Sequence, residues 1–106
     1  LIQNGAINTL EAVGQVGKRV KVAGMRQSAH RSRTTKGETM MFLSLEDLTG
    51  MLDVIIFPDV YRKSRAILNS NEPFLVSGVM ALEKGESEPF LRADRIDYLS
   101  SRSNSL

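Results

Sequence analysis

The chain has 106 residues, room for one domain with a single core, and its 42% apolar and 25% charged content excludes wholesale disorder. A net charge of +2, from 14 basic and 12 acidic residues, is too small to indicate a nucleic-acid partner by itself. Zero cysteines exclude disulfides, thiolate zinc sites and cysteine nucleophiles, and fit a reducing cytoplasm.

Residues 1–17 read as a lead-in in which Thr9 is placed to cap a short helix over 10–16, weakened by Gly14 and Gly17. A domain over 18–99 follows, and the Ser/Asn/Arg-rich stretch 100–106 reads as a disordered tail. From Lys18 the hydrophobic period becomes two. Val20 and Val22 alternate with Arg19, Lys21 and Ala23, which predicts a half-buried strand running to about Gln27 with a bend or bulge at Gly24. Residues 28–39 read as a polar loop. The second strand places Met41, Leu43 and Leu45 on one face and Phe42 and Ser44 on the other. Glu46-Asp47-Leu48-Thr49-Gly50 supplies turn chemistry, so the second and third strands form an antiparallel hairpin. The third strand ends at Pro58, where helical spacing puts Val60, Tyr61, Ser64, Ile67 and Leu68 on one face. Two more strands are predicted over 73–82, with Gly78 at the centre, and from Phe90 to about Ile96 or Leu99.

Three strands, one helix and two strands, with a glycine that lets the long first strand bend, make an all-β, five-stranded OB-fold Greek-key barrel with the helix at one end. Closure hides the edges that an open five-stranded sheet would leave. A small α+β sandwich is the alternative.

The segments Val20-Lys21-Val22-Ala23-Gly24-Met25, Met41-Phe42-Leu43-Ser44-Leu45-Glu46-Asp47-Leu48-Thr49-Gly50 and Val54-Ile55-Ile56-Phe57-Pro58-Asp59-Val60-Tyr61 resemble the anticodon-binding type of OB domain. Val76-Ser77-Gly78-Val79 and Leu91-Arg92-Ala93-Asp94-Arg95-Ile96 fit as well. The resemblance spans Arg19 to Leu99 and is strongest to the OB domain near the carboxyl end of the bacterial DNA polymerase III α subunit and its error-prone relatives. It implies a single-stranded DNA-binding module near the template path, with the nucleotidyltransferase carboxylates in a separate palm domain. Class II aminoacyl-tRNA synthetases share the superfamily fold, and their second-strand aromatic falls where Phe42 stands. The acidic stretch 83–88 departs from what a phosphate-binding loop needs.

Phe42 is the candidate base-stacking residue, unless it packs under a loop or a neighbouring domain. Arg26, Arg31, Arg33 and Lys36 are candidate phosphate contacts in the basic stretch 18–39, where Glu38 is the one acid; Lys21 and Ser44 complete the predicted surface. The other reading of these cations is a solvated loop. His30 reads as an exposed bystander. Glu46, Asp47 and Asp53 lack metal-ligand spacing, no nucleophile elbow is present, and Gly14-Gln15-Val16-Gly17-Lys18 is neither a P-loop nor a KH loop, since Ala12 replaces the first glycine and a strand begins at once. No catalytic residue, metal or cofactor is predicted within this chain.

The amino end has neither a secretory pattern nor an initiating Met, which suggests a piece of a longer protein, and no apolar run reaches the ~18 residues of a membrane span. The expected partners are single-stranded DNA, or RNA, and other domains of a parent DNA-directed DNA polymerase, with no small-molecule substrate. Two further readings stay open: a protein-interaction OB domain of the same polymerase, and the anticodon-binding domain of a tRNA synthetase.

Overall fold

The computed structural model describes residues 5–99; the predicted disordered tail lies outside the described residues. Helix α1 (Thr9–Ala12) precedes β1 (Arg19–Arg33), β2 (Thr39–Asp47) and β3 (Gly50–Ile56), after which α2 (Pro58–Leu68) leads to β4 (Phe74–Ala81) and β5 (Phe90–Tyr98). The strands close in the order β1-β2-β3-β5-β4, giving the five-stranded OB barrel.

Closure rests on the bend in β1. Its first half, Arg19 to Gly24, pairs antiparallel with β4, and its second half, from Met25 to Arg33, pairs antiparallel with β2. A Cβ built on Gly24 would stand 2.6 Å from the carbonyl oxygen of Glu46, so only glycine lets the two backbones meet there. The register slip itself lies between Arg26 and Ser28, not at Gly24. The second close approach is at Gly78, where β4 and β5 also slip register and an added Cβ would fall 2.0 Å from the carbonyl oxygen of Arg92.

The alternating apolar residues fill the barrel. Val22, Leu45, Leu52, Val54, Ile56, Phe74, Val76, Met80 and Leu91 are buried in one cluster. Helix α2 starts with Pro58 at its first turn, where a missing N–H is harmless. It packs on β5 and β2 and adds Tyr61 and Leu68 to the same core, with Val60 and Ile67 at its margin.

Two sequence expectations need correcting. Helix α1 is capped by Asn8, not Thr9: the Asn8 side chain accepts from the Glu11 N–H at 2.7 Å, and the Glu11 carboxylate accepts from the Asn8 N–H. Gly14 follows directly on its end at Val13, so the helix is one turn instead of reaching 16. The predicted polar loop 28–39 is largely strand. Residues 28–33 continue β1 and residues 34–38 make the turn, tied by Thr34 N–H to the Glu38 carbonyl at 2.8 Å. Ladder hydrogen bonds to β2 hold this stretch extended without an apolar face to signal it.

The freed Thr9 has another task. Its N–H and hydroxyl both donate to Asp47, each at 2.8 Å, while the Thr49 N–H and hydroxyl donate to the same carboxylate at 2.8 and 2.7 Å. Asp47 thus ties the start of α1 to the β2–β3 turn. Partial burial pushes its pKa up, but the hydrogen bonds from Thr49 and Thr9 outweigh this and hold it below the ordinary aspartate value.

These contacts set the response to substitution. Gly78→Ala should lower the unfolding free energy by about 3 kcal/mol or more, because backbone must move, whereas Gly14→Ala should change it by less than about 0.5 kcal/mol; urea titration measures both. Asp47→Ala should remove roughly 2 kcal/mol at neutral pH. Because the folded pKa is depressed, that stabilisation is complete above the unfolded value of about 3.9 and fades as pH falls through the folded value. The gap between the wild-type and Asp47→Ala midpoints should therefore begin to narrow as pH falls below about 4.

Candidate nucleic-acid interface

Direct cross-strand partners share a face, and the register sets His30, Phe42, Ile55 and Arg92 in one row across β1, β2, β3 and β5. Their chain neighbours Met41, Leu43, Val54, Ile56, Leu91 and Ala93 are buried, so this row lies on the barrel's outer side. Phe42 is half-buried on the floor of an open groove of about 600 Å³. His30 stacks on it with ring centroids 5.2 Å apart and planes 10° from parallel. Ser28, Ser44 and Asp53 line the same groove beside them, and Glu83, Lys84, Glu86, Glu88 and Phe90 form its far wall. Beyond it on the same row, Arg92 stands over the Phe57 ring at 4.9 Å.

The groove is acidic. Among the described residues, Asp53, Glu83, Glu86 and Glu88 face Lys84 as the one formally cationic side chain lining it. Such a wall repels a phosphate but not a base, whose amino groups a carboxylate or a serine hydroxyl can receive.

The predicted site residues divide between surfaces. Phe42 and Ser44 share the groove floor. Arg31 and Arg33 pair with Met41 and Thr39, which puts them on the opposite face of the β1–β2 ribbon, turned to α2. Arg26 lies on that side too, half-buried, and its guanidinium donates to the Leu68 carbonyl at 2.5 Å, satisfying the carboxyl end of α2. Arg33 donates to the Gly37 carbonyl at 2.8 Å and braces the turn that carries the exposed Lys36. Lys21 is exposed opposite Ser77 on the β1–β4 half, away from the groove lining.

Two residues that the sequence does not assign to the site stand in the row: Arg92, and His30, which is exposed as expected but stacks on Phe42 and is no bystander. His30 does carry a signal, since it alternates with Ala29 and Arg31 in a segment whose partner strand bears Phe42. Arg92 carries none, because only the parallel β3–β5 pairing brings it beside Ile55.

No family model matches the chain. Among curated proteins it is 49% identical over 49 residues to the error-prone DNA polymerase of Symbiobacterium thermophilum, covering 46% of this chain and 4% of that protein. It is 39% identical over 83 residues to the error-prone DNA polymerase of Cutibacterium acnes, 77% of this chain and 7% of that one. Over all 106 residues it is 28% identical to the DNA polymerase III subunit alpha of Bacillus subtilis, 9% of that subunit. The chain is homologous to a segment of these polymerases. It spans less than a tenth of their length.

Solved structures agree with this polymerase-related OB domain in fold. Asparaginyl-tRNA synthetase from Pyrococcus horikoshii, complexed with asparaginyl-adenylate, superposes with a TM-score of 0.68 at 17% identity over 92% of this chain and 23% of the synthetase. An OBody bound to hen egg-white lysozyme gives 0.66 at 17% identity, over 93% of this chain and 96% of its own. Such likeness concerns the fold alone.

The stack in the OB domain's groove has a direct signature. In His30→Ala the Phe42 ring resonances should move as the neighbouring ring current is lost, while those of the core residue Phe74 stay in place; proton NMR reads both.

Proposed function

We propose that this OB domain binds single-stranded nucleic acid, DNA in the first instance, as a non-catalytic module of a DNA-directed DNA polymerase. The observation that carries the reading is the partly exposed Phe42 ring, stacked in parallel with His30 in an open groove. A base laid on such a platform gains about 1–3 kcal/mol regardless of its identity. Ser28, Ser44 and Asp53 offer polar atoms to base edges, and the acidic wall turns the phosphates outward. Arg31, Arg33, Lys36 and Lys21 supply cations outside the groove for that backbone. Homology to replicative and error-prone polymerases supports a template-strand role.

The acidic wall also favours a second reading, a protein-interaction domain whose groove receives a cationic segment of a neighbouring domain. Anticodon binding would show instead as preference for a structured tRNA loop over unstructured DNA.

Fluorescence anisotropy with a labelled oligothymidylate separates these. Binding should appear at low salt and fall as salt rises, and Phe42→Ala should weaken it about 5- to 150-fold. No binding at low salt, or unchanged affinity in Phe42→Ala, would overturn the proposal.

A further inference from the structure

The cations that the sequence singles out do not line the groove, and two of them, Arg26 and Arg31, border a second surface. Beyond Gly24, β1 leaves β4, and residues 28–33 pair with β2 alone. The β1–β2 ribbon therefore has two accessible faces and an edge between them. His30 sits at that edge: it lines the groove and also a depression on the other face shared with Arg26, Arg31 and Tyr61. Arg31 and Tyr61 in turn border a further hollow of about 310 Å³ with Glu38 and with Arg62 and Arg65 of α2. One continuous path thus leads from the Phe42 ring, over His30, to three guanidinium groups.

Two carboxylates, Glu38 and Asp59, compensate these three guanidiniums in part, and both act at Arg62. Arg62 faces Glu38 at 3.7 Å and is paired with Asp59, so it offers no spare charge, and the net charge of the cluster is carried by Arg31 and Arg65. Arg31 and Arg65 are exposed, and neither guanidinium has a hydrogen bond or ion pair among the described residues. Two free arginines beside a third, over an open hollow, suit a multiply charged oxyanion. The hollow presents no exposed aromatic face to stack on, since Tyr61 is buried in the core.

We infer that Arg31 and Arg65 form a backbone-phosphate subsite on the α2 face, taking a nucleic-acid strand that has crossed the β1 edge from the groove. The inference rests on the groove reading above and adds to it: bases are held on one face of the ribbon and phosphates on the other. The acidic wall gives the path its direction. A strand leaving Phe42 is repelled by Glu83, Glu86 and Glu88 on one side and drawn to the arginines on the other.

The test uses the 106-residue chain, the salt dependence of oligothymidylate affinity and two oligomer lengths. An oligomer of roughly 4 nucleotides fills the groove only, whereas one of about 12 can reach the second face. The double variant Arg31→Ala/Arg65→Ala should flatten the slope of log affinity against log salt by about 1.4 with the longer oligomer, about 0.7 for each lost phosphate. With the shorter one its slope should match wild type. Arg31→Lys/Arg65→Lys should restore most of the slope, which a merely misfolded variant would not do. Phe42→Ala should weaken both oligomers and leave the slope unchanged. An unaltered slope in the double alanine variant, with Phe42→Ala still weakened, refutes the subsite and leaves the groove standing. An equal slope change with both oligomers also refutes it, and a wild-type chain that binds neither oligomer refutes both readings.

Discussion

The structure turns on one crowded crossing, where β1 passes Gly24 against the backbone of Glu46. A strand that stayed with β4 would leave an open sheet in the order β1-β4-β5-β3-β2, with β2 as a bare edge. Because β1 changes partner there, it joins the β4 and β2 ends of that sheet into a closed barrel, and the core residues acquire walls on all sides. The same change of partner sends residues 28–33 out as a ribbon whose β1 edge has no strand beside it. The candidate surface is thus a by-product of closure. The groove on one side of the ribbon and the arginine hollow on the other exist because β1 is longer than the barrel needs.

The two ends of the barrel are secured differently. Helix α2 closes one by burial, with Leu68 and Tyr61 in the core and Arg26 from β1 holding its last carbonyl. The lead-in combines burial of Ala12 and a backbone bridge from Ile7 to Val22 with polar contacts through Asp47, which serves the β2–β3 turn and α1 together. Of the two, only the lead-in also depends on a carboxylate, so acid weakens that attachment and leaves the packing of α2 unaffected.

How legible this was depends on which residues face the core. Strands β2, β3, β4 and β5 and the buried face of α2 announce themselves by alternation or by helical spacing, because one face of each is apolar. Phe42 could be assigned to the outer face for the same reason. Ser28-Ala29-His30-Arg31-Ser32-Arg33 has no apolar face on either side, so its composition alone resembles a loop. Its strand character comes from hydrogen bonds to β2, a tertiary fact. Reading it as a loop left the arginines free to sit anywhere near Phe42. Once it is a strand, the period of two fixes His30 with Phe42 and sends Arg31 and Arg33 to the other side. The register slip between Arg26 and Ser28 completes the sorting, and no local composition marks it.

The mixed charge bears on how such a domain would work inside a larger chain. With a net charge of +2 and carboxylates along the groove, long-range attraction for a polyanion is slight. A free-standing single-strand binder would gain from replacing those acids. A tethered module has no such need, because linkage to a domain already on the same strand raises its effective concentration to about the millimolar range. Under tethering, weak contacts that exchange quickly are an advantage: a strand that must move past the domain is held by stacking and a few phosphates without being trapped. Under the proposed function the acidic wall would choose a route for the strand, and a tethered neighbour would supply the affinity that the wall sacrifices.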